Sequence, residues 1–80
     1  MDEETERILD EIIQHRNKAT ELLLQSIKLR EEAKDYATLA EKTLVLEKSA
    51  TLSSEASVEN EKANTLTNEL LQARAEGISN

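Results

Sequence analysis

Proline is absent from this 80-residue chain and its only glycine is Gly77. From Asp2 to Glu76, therefore, no residue forces the backbone out of a helix. Across that permissive backbone, apolar residues recur at helical spacing from Ile8 to Ala73. The spacing predicts an all-α protein of long amphipathic helices, packed as a coiled coil or a helical hairpin, with a compact three-helix bundle as the alternative.

In the first part of the chain the stripe reads Leu9, Ile12, Arg16, Ala19, Leu23, Ser26, Arg30, Ala33, Ala37, Ala40, Leu44, in alternating steps of three and four as a heptad seam requires. Ile8, Leu22, Leu29 and Tyr36 widen it on one side. A second run, Leu52, Ala56, Glu59, Ala63, Leu66, Leu70, Ala73, keeps the same steps in a different phase. The slip falls among Ser49, Thr51, Ser53, Ser54 and Ser57, whose hydroxyls compete for backbone partners. A turn or register shift is therefore expected at residues 48–54. Because serine and threonine cost only about 0.5 kcal/mol each in a helix relative to alanine, continuity or a gentle bend through this stretch is the preferred expectation. Corners near Asn17 to Thr20 or Lys34 to Tyr36 belong to the bundle alternative, which the apolar triplets Leu22 to Leu24 and Leu44 to Leu46 favour.

The chain reads as one helical unit over residues 1–80. Asp2, Glu3, Glu4 and Glu6 suit the positive end of a first helical turn, so helix is expected to begin near Asp2 to Thr5. At the other end Gly77 is placed for a left-handed stop, with the helix ending near Glu76 and a frayed tail at 77–80.

Composition narrows the function. Charged residues make up 34% of the chain and its formal net charge is −7, which leaves no basic footprint for nucleic acid. The longest apolar runs are triplets, far short of the ~20 residues of a membrane span. Surface attachment through the Leu22 cluster is disfavoured, because acids offset Lys28, Arg30 and Lys34. An acidic start is wrong for a signal or transit peptide, and cysteine is absent, so cytosol or nucleus is the default compartment.

Chemistry-bearing patterns are sparse. His15, with Glu11 one turn before it, would need further nitrogen or sulfur ligands to hold a transition metal. A half-buried histidine on the stripe's edge is the better reading, and in an interface its charge change near pH ~6.5 would make association pH-sensitive. The acidic runs Asp2 to Asp10 and Glu31 to Asp35 lack the glycine turn of a calcium loop and read as solvated faces, paired through Glu3 with Arg7, Arg7 with Glu11 and Lys28 with Glu32. Tyr36, among Ala33, Ala37 and Ala40, reads as a core or interface anchor. No serine or threonine has a histidine base in any plausible arrangement, and no glycine-rich phosphate loop exists. Catalysis, a cofactor, a metal and a small-molecule substrate are accordingly not expected.

The expected function is a non-catalytic protein-interaction or oligomerisation module, a scaffold or tether whose partners are helices of its own kind or of another protein. The alternative is a monomeric three-helix adaptor that binds a short amphipathic peptide, as in membrane trafficking. Residues expected to make the contact are Ile8, Ile12, Ala19, Leu22, Leu23, Ile27, Leu29, Ala33, Tyr36, Ala37, Ala40 and Leu44, then Leu52, Ala56, Ala63, Leu66 and Leu70. The segment from Leu22 through Ile27 to Leu29 is its expected energetic centre.

Overall fold

The computed structural model describes residues 2–79. They form two helices, α1 (Glu3–Ala33) and α2 (Leu39–Ser79), packed as an extended antiparallel hairpin 64 Å long and 16 by 12 Å in section, with no strand among the described residues.

Helix α1 starts where expected. Asp2 stands in extended backbone as the N-cap and its Oδ1 accepts from the Thr5 N–H at 2.7 Å, with Glu3, Glu4 and Glu6 in the first turn. Its end was not the preferred expectation. The chain turns at 34–38, a corner that the sequence suggested only for a three-helix bundle. Lys34 remains right-handed, and the Lys34, Asp35 and Tyr36 amides donate to Glu31, Glu32 and Ala33 carbonyls in a tightened last turn. Thr38 then caps α2, its Oγ1 accepting from the Glu41 N–H at 3.1 Å. No described residue has positive φ, so the reversal needs no glycine.

Residues 48–54, where the phase slip pointed to a turn, lie inside α2. Three of their hydroxyls find partners without leaving the helix: Thr51 donates to the Glu47 carbonyl, while Ser49 and Ser53 bond to Ser26 of α1. The three-helix arrangement is likewise not what the described residues build. Gly77 also departs from expectation, staying helical as α2 runs on to Ser79. Glycine permits the left-handed stop without requiring it and costs only about 1 kcal/mol inside a helix. Of the tail expected to fray, Asn80 lies outside the described residues.

Small residues make the seam. Ala19, Ser26 and Ala33 are buried at heptad spacing on α1, and Ser49, Ala56 and Ala63 match them on α2. Ser26 Oγ reaches the Ser49 carbonyl and Ser49 Oγ reaches the Ser26 carbonyl, each at 2.9 Å. A side chain that short touches the opposite backbone only when the helix axes lie near the close end of the ~8–10 Å packing range. Stepping one heptad at a time from this pair brings Ala19 opposite Ala56 and Ile12 opposite Ala63. Half-buried Ile8, Leu22, Leu29, Leu52, Leu66 and Leu70 flank the small residues.

Candidate protein-interaction surface

The hairpin sorts the residues expected to make contacts into two groups. Ala19, Ala33, Ala56 and Ala63 are buried between the helices, with Ile8, Ile12, Leu22, Leu29, Leu52, Leu66 and Leu70 half-buried beside them. Leu23, Ile27, Ala37, Ala40 and Leu44 are exposed and have no place in the seam. Tyr36 is no core anchor: it stands in the connection and is 39% exposed. The segment from Leu22 to Leu29 is thus divided, Leu22 and Leu29 turned towards α2 and Leu23, Leu24 and Ile27 away from it.

The reason is a choice of flank. Positions 9, 16, 23 and 30 and positions 8, 15, 22 and 29 both continue a stripe through Ile12, Ala19, Ser26 and Ala33 in steps of three and four. From His15 onwards the chain packs the second set, which seats His15 in the contact and leaves Arg16 and Arg30 at its edge, while at the open end Ile8 and Leu9 are both half-buried. On α2 the seam extends back from Leu52 through Ser49 and Val45, so the phase break belongs to the turn at 34–38.

Besides the Ser26–Ser49 pair, a charged layer interrupts the seam. Glu59 is only 7% exposed, and its carboxylate meets His15 Nδ1 at 2.6 Å, Lys62 Nζ at 3.4 Å and Lys18 Nζ at 3.6 Å. The partner of His15 is therefore Glu59 across the hairpin, whereas Glu11 is held by Arg7 at 2.8 Å. The hydrogen bond from His15 holds the Glu59 carboxyl below its ordinary range, with the two lysines helping and burial opposing. No group of three or more metal-ligating side chains occurs among the described residues. Near the N-terminus Arg7 also pairs with Glu4, where Glu3 was expected.

The two broad sides of the hairpin differ in character. On one, Arg16 donates to Asn60 at 3.1 Å and Asn64 at 2.8 Å, Ser26 bonds Ser53 at 2.8 Å, and Arg30 donates to Ser49 at 3.2 Å. Between Arg16 and Arg30, helical phase puts Thr20, Leu23 and Ile27 of α1 on this side. It puts Leu46, Ala50, Ser53, Ser57, Asn60 and Asn64 of α2 beside them. No charge lies within that stretch except the two arginines at its ends, both engaged by α2. Leu23 is 41% exposed, Ile27 52% and Leu46 48%. Ile13 continues the apolar ridge beyond Arg16.

The opposite side is densely ionic. Glu11, Lys18, Lys28 and Glu32 of α1 and Glu55 and Lys62 of α2 rim shallow grooves floored by Leu22, Leu29, Leu52 and Leu66. No helix is long and apolar enough to cross a membrane among the described residues.

Sequence reasoning missed the contribution of Leu46 and Ala50 to the uncharged side and the pairing of Ser26 with Ser49. The seven-residue spacing of small residues was the signal for the second. By fold and surface the described residues form an antiparallel two-helix hairpin with one ionic side and one whose central stretch carries no charge between Arg16 and Arg30. Comparison with protein-family models, with curated proteins and with solved structures finds no match.

Proposed function

We propose that the hairpin is a non-catalytic interaction module that docks helices through its uncharged side, and so serves as a scaffold or tether. One observation carries the reading: Leu23, Ile27 and Leu46 stand exposed together on a side almost without charge, in a chain of net charge −7. A solvated helix face normally carries charged and polar side chains, and an apolar patch kept free of them marks a contact surface. The seam supports the same reading. Its buried apolar residues are alanines and Val45, so the hairpin hides little hydrocarbon from water for its length and gains from further cover.

A photo-crosslinking side chain placed at Ile27, and separately at Thr65 on the ionic side, tests this in cells that express the chain. Protein adducts are expected from position 27 and not from 65. Adducts from neither position, or from 65 alone, would refute the module.

A further inference from the structure

Resting on that reading, we infer that the occupant of the uncharged side is a second copy of this chain, the two hairpins packing face to face as a four-helix bundle. Charge is the first argument. Two molecules of net charge −7 repel, and the uncharged side is the surface on which they meet with the acids Glu11, Glu32 and Glu55 turned away from the contact.

Shape is the second argument. On this side α1 raises a ridge of large side chains, Ile13, Leu23 and Ile27, whereas α2 offers the small Ala50, Ser53 and Ser57 next to a single large side chain, Leu46. A two-fold axis parallel to the helices lays Leu23 of each copy along Ala50 and Ser53 of the other, and Ile27 along Ala50 and Leu46. Such a patch is self-complementary, as an isologous contact requires.

Area is the third. From Leu9 to Arg30 at 1.5 Å per residue the face, which includes Ile13 and the α2-bonded Arg16, is about 31 Å long, and two close helices are about 18 Å wide, giving about 1,100 Å² over both copies. That projected figure understates accessible area and already exceeds the ~1,000 Å² of a specific interface. The partner also covers a core that the hairpin leaves thin.

Sedimentation velocity over a concentration series, with circular dichroism melting at each concentration, tests the assignment. The full chain is expected at twice its 9.0 kDa mass, with a melting temperature that rises with concentration. Ala50→Arg changes an exposed residue that a lone hairpin would tolerate. It is expected to weaken association about a hundredfold, as is Leu23→Glu, because each interface then buries two unpaired charges. Should either variant fail to fold in dilute solution, recovery of helix at high concentration would still report the coupled dimer. Val58→Glu, on the ionic side, is expected to leave the mass unchanged.

A wild-type monomer with concentration-independent melting overturns the second copy, as does a dimer broken by Val58→Glu but not by Ala50→Arg. Adducts from position 27 to a different protein, alongside such a monomer, would sink this inference and leave the docking module standing.

Discussion

A buried hydroxyl must find partners, and Ser26 and Ser49 find them in each other, so both are satisfied at 1% exposure. Ser49→Ala removes its bonds to the Ser26 carbonyl and hydroxyl and to Arg30, and is expected to cost about 1 kcal/mol in a denaturant titration. Ala56, 1% exposed in the same seam, has no room to grow. Ala56→Leu forces the helices apart and is expected to destabilise by about 1–3 kcal/mol. Glu59 sets a pH dependence. Since its carboxyl is held below the ordinary value of 4.5, its contribution to folding is complete above that value and is lost as pH falls through the lowered one. The stability of Glu59→Gln should therefore change less between neutral pH and strong acid than that of the wild type, measured by thermal melts across that range. Asp2 and Glu4 are lowered as well, by the Thr5 amide and by Arg7, and retain part of the acid response in the variant.

Helix α2 depends on a cap that the sequence displays plainly once it is noticed. Thr38, Leu39, Ala40, Glu41 is a capping-box spelling, and Thr38→Ala is expected to cost about 1 kcal/mol. The hairpin itself is open to a covalent test, because the chain has no native cysteine. Ser26 Oγ and Ser49 Oγ lie 2.7 Å apart, so Ser26→Cys with Ser49→Cys should oxidise to an intramolecular bridge without doubling the mass on a non-reducing gel; a doubled mass instead would point to pairing between chains. The helical class and the start of α1 were legible from periodicity and charge. The location of the turn was not, because attention to glycine and proline hides a corner built wholly from ordinary backbone conformations. The serine-rich stretch misled for a related reason: whether a hydroxyl breaks a helix or bonds across to its neighbour depends on what lies opposite. Which flank of α1 packs was equally undecidable, since both sets of positions satisfy the same arithmetic and only the register against α2 chooses between them.

At the scale of the whole molecule, an uninterrupted helix of this chain would reach about 120 Å at 1.5 Å per residue, against the 64 Å of the hairpin. Small-angle scattering should therefore return a maximum dimension near the shorter length once side chains are included, and pairing through the uncharged side should thicken the cross-section without lengthening the particle. The division of surface into two sides follows from the same hairpin, because heptad register assigns every residue of both helices to the seam, one side, the other side or the outer edge. Close spacing at the Ser26–Ser49 crossing has a mechanical consequence too. Two rods set this near, and stitched backbone to hydroxyl a heptad from the turn, resist splaying at that end of the hairpin, so any parting of the helices starts from the far, open end.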